Sequence, residues 1–473
     1  MATYSDVSTN LDTQTPGGTF GGISINDTRR IFGIGDTVHS LSPEQSLFFT
    51  YLSKVSKQSV DDTVWKPLEY RHQWQRRNFY SNGDGSSDLA SAAIGSGGGK
   101  AVLTAAALLC DYDKYGKVTA SVNQKPIWLV DGLIIACEVT YDADGAGSAS
   151  AAEKVIKNFK VSSAVASTGI CTLTSVEDFI EGSVVTLEVL ADGYKGQVVG
   201  SQWAEGSQAP DGWRDELSDT EFYAQIFKTS VPLMSGSAMA TKYRGFPNEW
   251  KRIYAEHVMA HKMDIEHAML FGQGRYVSAN ERYSWGLLPF IEQKGGKLYT
   301  MDYGADDGGS TLPFTYDGLV DLMEDFMAPE SGNSGQKLVF TSRKVIAKMS
   351  KLGTDSFVAQ SLGTTGTSPF RANLDVKPSK FAPVDVTSIG TSFGSLNFVA
   401  HPLMRGPWED KAMCIDLSNV KYRPLAANGH NRDTFVETNI QDNSTDGRKD
   451  QIITEAGLEI NLPETHALIS FVA

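Results

Sequence analysis

His257 and His261 stand four residues apart, a spacing that sets two imidazoles on one helix face, and Asp264 shares that side. Zinc metalloproteases use such a pair, but they need a glutamate beside it as general base, and Val258 stands there instead. Without a proton acceptor the pair does no hydrolysis. Histidines on an amphipathic helix are the commoner origin of the spacing. The glycine-rich candidates fail similarly. Gly97-Gly98-Gly99-Lys100 has the outline of a phosphate loop, yet Ile94 replaces its first glycine and Ala101 its magnesium-binding hydroxyl. Gly33-Ile34-Gly35 lacks the third glycine of a dinucleotide turn, where Val38 stands. Asp111, Asp113 and Gly116, and Asp142, Asp144 and Gly145, have the outline of calcium loops. Tyr115, Val122, Thr140 and Ala151 occupy positions where oxygen ligands would complete them, so acidic turns are expected. Cys110, Cys137, Cys171 and Cys414 form no CxxC pair and read as buried free thiols in a reducing compartment. No Gly-x-Ser-x-Gly elbow is present. The chain is therefore expected to have no catalytic, cofactor-binding or metal-ligating residues, and to need no cofactor.

The helix that carries both histidines says more than the histidines do. Gly245-Phe246-Pro247-Asn248 stops the preceding segment; Pro247 suits a helix start and Asn248 is a natural cap. From Glu249 to Phe271 there is neither Gly nor Pro, and Trp250, Ile253, Tyr254, Val258, Ile265, Ala268 and Met269 recur at spacings of three and four. Gly272 and Gly274 end it. At a rise of about 1.5 Å per residue this is a rod of roughly 35 Å, long enough to span a domain. It is expected to be continuous and the longest helix of the chain.

Composition bounds the rest. A chain of 473 residues, 41% hydrophobic and 21% charged, is globular and long enough for several domains. No run approaches the roughly 20 apolar residues of a membrane helix, and Met1 to Phe20 lacks a signal-peptide pattern, so a soluble protein with no membrane partner is expected. A net charge of −14 argues against general attraction to nucleic acid, although Arg71 to Arg77 is a local basic run.

Along the chain, the first 40 residues are polar and aperiodic, like an extended arm. A short helix follows, with a capping box at Ser42 and Gln45, Pro43 in its first turn, and Leu47, Phe48, Tyr51, Leu52 and Val55 on its apolar side. Tyr70 to Tyr80 alternates as a strand. Between Gly95 and Gln208 the composition turns to Gly, Ala, Ser and Val, with β-branched runs at Val118 to Val122, Ile127 to Val130, Leu133 to Val139, Val155 to Val161 and Val184 to Val189. These imply an inserted β domain. After the long helix, a helix at Tyr316 to Phe326, a strand at Lys337 to Phe340 and a helix opening at Thr341-Ser342 form an α/β or α+β module. Six strands close the chain: Leu396 to Ala400, Ala412 to Leu417, Val420 to Tyr422, Ile452 to Thr454, Leu458 to Leu462 and Ala467 to Val472.

An arm, a long loop, a rod-like helix, an α/β module and terminal strands, in that order, resemble the major capsid (head) proteins of tailed bacteriophages, with their Hong Kong 97-type fold. The resemblance lies in Phe222-Tyr-Ala-Gln-Ile-Phe-Lys-Thr-Ser-Val231, Glu249-Trp-Lys-Arg-Ile-Tyr254 and Asp264-Ile-Glu-His-Ala-Met-Leu270. It continues in Arg282-Tyr-Ser-Trp-Gly-Leu287, Phe393-Gly-Ser-Leu-Asn-Phe398, Thr454-Glu-Ala-Gly-Leu-Glu-Ile460 and Ala467-Leu-Ile-Ser470. It implies an α+β fold with residues 1–66 as N-terminal arm and 67–228 as extended loop, holding an inserted β domain at about 102–206. Residues 229–312 would be the spine helix and peripheral domain, 313–433 the axial domain, and 434–473 strands returning to the peripheral domain. The implied function is a structural one: self-assembly as hexamers and pentamers into the icosahedral head around double-stranded DNA. The partners implied are other copies of the chain, scaffolding and portal proteins, a decoration protein, and packaged DNA contacted weakly and non-specifically. The implied location is the virion capsid, assembled in the host cytoplasm. Phe20, Ile23, Trp65, Trp74 and Phe79 are expected against neighbouring copies. Some relatives lock subunits by a Lys–Asn isopeptide bond, and no residue of this sequence is assigned to it. Alternative readings are an encapsulin-like bacterial nanocompartment shell and a metal-dependent hydrolase using the His257/His261 face.

Overall fold

The computed structural model describes residues 46–71, 77–81, 90–94, 97–119, 121–142, 153–187, 194–210, 212–243, 246, 248–303, 312–328, 335–349, 379–381 and 384–472. The expectations placed on residues 1–45, on Trp74, on Pro247 and on Asp144 lie outside them. The long helix runs from Glu249 to Phe271, 23 residues, with the Asn248 side chain accepting from Lys251 N–H and Gly272 as C-cap. It is the longest helix among the described residues.

An eight-stranded mixed sheet lies against this spine. Its spatial order is Leu312–Pro313, Lys297–Asp302, Ala467–Val472, Lys411–Ile415, Gly335–Thr341, Gly394–Ala400, Val384–Gly390 and Ser379–Phe381. Period-two alternation divides its side chains between two cores. Leu338, Phe340, Met413, Ile415 and Leu468 join Ile265, Met269 and Leu270 of the spine helix and Leu287, Phe290 and Ile291 of the helix Leu287–Lys294. Val339, Ala412, Cys414, Ala467 and Ile469 join Leu319, Leu322, Met323 and Phe326 of the helix Tyr316–Phe326, together with Val345 and Met349 from the helix at 343–349. Helices thus cover both faces of one sheet, and the strand Ala467–Val472 sits inside it rather than at an edge.

A second sheet sets Gln451–Ile460 between Gln225–Ser230 and Val420–Pro424. The sequence suggests two strands here; there is one. Glu455 does not interrupt it because Arg282 and Arg432 pair with its carboxylate, and Gly457 does not because the missing side chain leaves room for a neighbour. A Cβ at Gly457 would lie 2.4 Å from the Tyr223 carbonyl oxygen and 2.6 Å from the Trp65 ring. The short helix Leu47–Val55 packs Phe48 edge-on against Phe340 and Phe49 against Tyr422, while Val55, expected on its apolar side, is 62% exposed.

Residues 78–201 build a separate antiparallel sheet. Asn78–Ser81, Val102–Leu109, Ile170–Ser175, Glu153–Val165, Leu133–Asp142 and Tyr194–Ser201 pair in that order. Tyr194–Ser201 also pairs back to Asn78–Ser81, so these six strands close into a barrel. Val184–Leu187 and Ala90–Ala93 extend it from Leu133–Asp142. Its interior is filled by Phe79, Leu103, Trp128, Ile135, Phe159, Val161 and Leu173, all buried. Among the described residues two expected strands do not form. Val118 makes an isolated bridge to Tyr112 that closes a turn where the Asp113 carboxylate accepts from Tyr115 and Lys117 N–H, and residues 127–128 form a turn after Pro126 that tucks Trp128 and Leu129 into the barrel. The alanine-rich strand Val102–Leu109 went unread, since its composition suits a helix; a bulge at Ala105, with φ of 58°, fits it to its neighbour.

Gly457→Ala should lower subunit stability by about 1–3 kcal/mol through overpacking, seen as an earlier unfolding midpoint in urea. Gly390→Ala, where an added Cβ meets nothing within 4 Å, should leave the midpoint unchanged.

Candidate functional site

The residues that suggested chemistry are dispersed or engaged. His261 is buried: its Nδ1 shares a hydrogen with Thr229 Oγ1 at 2.9 Å and its Nε2 with Thr454 Oγ1 at 2.8 Å, so both ring nitrogens are used in holding the spine helix to the second sheet. Burial pushes its pKa below the usual range, and the Asp264 charge pulls back only in part. His257 Nδ1 faces the Ile253 carbonyl oxygen of its own helix at 2.8 Å, and Asp264 is exposed. Among the described residues no group of three or more His, Cys, Asp or Glu side chains could hold a metal ion. Gly97, Gly98 and Gly99 form a positive-φ turn leading into a strand, not into the helix N-terminus that a phosphate loop requires. The four cysteines are buried and unpaired. Burial pushes the Cys110, Cys171 and Cys414 thiols up to about 12, so they are protonated and unreactive at neutral pH.

The polar group with the greatest structural reach is one the sequence reading passed over. Glu266, on the spine helix, is fully buried, and its carboxylate accepts Phe48 N–H at 2.9 Å and Phe49 N–H at 2.5 Å. These are open donors of the first turn of Leu47–Val55, whose own N-cap Ser46 makes no side-chain cap. A carboxylate 217 residues away therefore caps that helix. His401 completes the site. Its Nδ1 accepts Leu403 N–H at 3.3 Å, which puts the proton on Nε2, and Nε2 donates to Glu266 Oε1 at 2.9 Å. The available signal was a carboxylate between Ile265 and Met269, within the buried stripe.

Three further clusters tie distant segments. Arg71 pairs with Glu464 at 2.9 Å and Glu69 at 2.7 Å, while Glu69 also accepts Leu462 N–H at 2.8 Å. Burial works against the guanidinium charge, but Glu464 and Glu69 outweigh it and hold the pKa above its usual range. Glu459 accepts from Trp65 Nε1 at 3.0 Å and from Arg423 at 2.7 Å. Lys337, buried in the main sheet, donates to Asp416 at 2.6 Å, and Asp416 N–H donates to His466 Nδ1 at 3.2 Å. Trp65 and Phe79 thus correct the expectation that they face neighbouring copies. Trp65 stacks on Phe222 with ring centroids 6.2 Å apart, and Phe79 lies in the barrel beside Trp128. Both find cores within their own chain.

What stays uncovered lies elsewhere. The spine helix is buried only from His261 onward: Trp250, Ile253, Tyr254 and Val258 are half-buried and Met259 is 47% exposed, against the continuous apolar face expected. The hairpin of Arg275–Ser278 and Glu281–Tyr283 is tied to the body by Tyr276 against Tyr223, ring centroids 5.9 Å apart, and by Arg282 on Glu455, yet it exposes much of Tyr276, Val277 and Tyr283. A two-stranded hairpin is marginal alone, and exposed apolar side chains in series mark contact surfaces.

Comparison with known proteins supplies the family. Residues 14–473 match the SU10 major capsid protein family. This chain belongs to that family. It is a major capsid protein, a component of the virion shell, with a Hong Kong 97-type α+β fold. No curated protein matches the chain. Among solved structures it is similar to that of Mycobacterium phage Patience, with 13% identity, TM-score 0.37, and 57% of this chain and 76% of that one covered. For the capsid of cyanophage P-SCSP1u the identity is 11%, the TM-score 0.36 and the coverage 57% and 80%. For the SrpI encapsulin complex of Synechococcus elongatus PCC 7942 they are 10%, 0.32, and 54% and 77%. Between the two shell readings, family membership selects the phage head protein over the nanocompartment.

Two predictions arise from the buried polar groups of this capsid protein. Glu266→Ala strands the Phe48 and Phe49 donors and His401, and should cost on the order of 3 kcal/mol in urea unfolding, with faster proteolysis inside 47–55. His466 is buried, and burial lowers its pKa to about 4 from the ordinary 6.5. As pH falls from about 6.5 toward 4 the unfolded chain binds a proton that the native chain refuses. Stability should decline across that window by on the order of 3 kcal/mol, with no further loss from this group below it. His466→Gln should flatten that part of a plot of unfolding midpoint against pH.

Proposed function

We propose that many copies of this capsid protein assemble as hexamers and pentamers into a closed icosahedral head around double-stranded DNA, in the host cytoplasm, with no turnover chemistry. In this scheme residues 1–66 are the arm, 67–228 the extended loop with the barrel as its inserted β domain, 229–312 with 434–473 the peripheral domain, and 313–433 the axial domain. Scaffolding and portal proteins guide closure, a decoration protein is a further partner, and packaged DNA is contacted weakly and non-specifically. An acidic chain of net charge −14 suits that last role.

The observation that carries the reading, beyond family membership, is apolar surface the subunit leaves uncovered. Tyr276, Val277 and Tyr283 on the hairpin and Met259 on the spine helix are each more than 40% exposed, while the cores around them are closed. Copies of the chain are the natural cover, since a shell repeats each surface at every contact.

Electron microscopy of the overexpressed chain, alone and with scaffolding protein, should show closed shells or capsomers. Val277→Glu should abolish shells while leaving the subunit unfolding midpoint unchanged. Removal of residues 1–40 should likewise weaken assembly far more than folding. Normal shells from both altered chains, or a full-length chain that stays monomeric with and without scaffold, would refute the reading.

A further inference from the structure

The outer wall of the barrel carries a groove of about 550 Å³ that none of the contacts described above uses. Its floor is the outward face of Leu133–Asp142, Glu153–Val165 and Ile170–Ser175, and its rim is Trp203 on one side and Lys100 on another. Trp203 is held in place. Gln202 N–H donates to the Gly132 carbonyl at 3.0 Å, and the indole lies flat on Gly132, where a Cβ would come within 2.5 Å of the ring. Gly132 has φ of 83°, a conformation that also favours glycine. The indole nevertheless stays 38% exposed. An aromatic face fixed at the edge of an amphipathic trough is a surface on which a flat ring can stack.

The floor mixes apolar surface from Ile134 and Val176 with hydrogen-bonding groups. Ser162 Oγ and Thr174 Oγ1 share a hydrogen bond at 2.8 Å, which engages one hydrogen and leaves acceptor lone pairs on both. Lys160 Nζ donates to Gln202 Oε1 at 2.8 Å and keeps two further donors. Lys100 is exposed at the rim. Two lysines against the single carboxylate of Asp131, which already accepts Ala164 N–H at 2.6 Å, make this groove locally positive on a chain of net charge −14.

We propose that this groove binds an acidic saccharide, a short run of sugar rings bearing carboxylates. One ring stacks its C–H face on Trp203, hydroxyls meet Ser162, Thr174 and Gln202, and a uronate carboxylate pairs with Lys160 and Lys100. A sugar ring is flat, amphipathic and rich in hydroxyls, which matches an open trough with one aromatic wall and a lining that mixes apolar and hydrogen-bonding groups; a simple anion would not need the indole. The proposal stands apart from the shell reading, since it concerns the barrel wall alone.

The test uses the full-length chain, dispersed and as assembled particles, in equilibrium dialysis against a labelled galacturonate tetrasaccharide, with maltotetraose as the neutral control. Saturable binding of the galacturonate probe in both states is expected, with the neutral probe weaker by about tenfold. Trp203→Ala should weaken both probes by about tenfold or more, and Lys160→Gln should weaken only the acidic one. Circular dichroism and particle yield should be unchanged in both variants, which keeps a folding or assembly defect distinguishable from loss of the site. Absence of saturable binding, equal binding of the two probes, or wild-type binding by folded Trp203→Ala would overturn the proposal. So would binding by dispersed chain that is lost on assembly, which would assign the groove to a neighbouring copy.

Discussion

The buried carboxylate of Glu266 is the interaction on which the body of the subunit depends. It sits where three segments far apart in sequence meet: the spine helix, the first turn of Leu47–Val55 and the loop carrying His401. A fully buried carboxylate is costly unless it is hydrogen-bonded, and here both oxygens are: Oε1 accepts from Phe48 N–H and His401 Nε2–H, and Oε2 from Phe49 N–H. The requirement runs both ways. The helix Leu47–Val55 lacks a side-chain cap of its own, so it is complete only when docked on the spine. Its docking in turn seats Phe48 against Phe340 and Phe49 against Tyr422, which joins the main sheet and the second sheet to one core.

The same device recurs along Gln451–Ile460. Thr454, Glu455 and Glu459 are buried in a strand that otherwise reads as apolar, and each is matched by a partner from a different segment: His261 of the spine helix, Arg282 and Arg432, and Trp65 with Arg423. Apolar residues at these positions would pack as well but would tolerate a slipped strand, whereas a carboxylate is satisfied in one register only. We read these pairs as fixing register more than as adding stability, in line with the high desolvation cost of buried charge.

The sequence made the regular elements legible where a local rule sufficed. The spine helix followed from an unbroken interval between Asn248 and Gly272, and Tyr316–Phe326 from its periodic apolar positions; both ends of each match. Ala467–Val472 was equally plain. Legibility failed where tertiary context overrode composition. Val102–Leu109 is rich in alanine yet forms a strand because Leu103, Ala106 and Leu108 fill a barrel. Ile127 to Val130 is β-branched yet turns at Ile127 and Trp128 because Pro126 precedes it and Trp128 is needed inside. Trp65 and Phe79 looked like anchors for neighbours only because their partners, Phe222 and Trp128, lie 157 and 49 positions away by sequence number. The functional surface was less legible still, since nothing local separates an exposed Tyr276 from a buried Tyr422.

The barrel and the body are packed separately. Each has its own apolar cluster, and among the described residues the two clusters share no member. Two polar contacts are found between residues of the barrel's loops and residues outside its strands. Lys117 Nζ donates to the Lys294 carbonyl at the C-terminus of Leu287–Lys294, where the helix dipole favours a cation, and Lys114 pairs with Glu216 at 3.0 Å with both side chains largely exposed. An exposed pair such as Lys114–Glu216 contributes at most about 1 kcal/mol, small beside the apolar burial that closes either core. The interior of the barrel is therefore closed by its own apolar residues, independently of the core around the spine helix. A shell protein gains from that separation: the surface the barrel presents can change by substitution on its outer wall, as at Trp203 and Lys160, without disturbing the Glu266-centred body that must repeat faithfully in every copy.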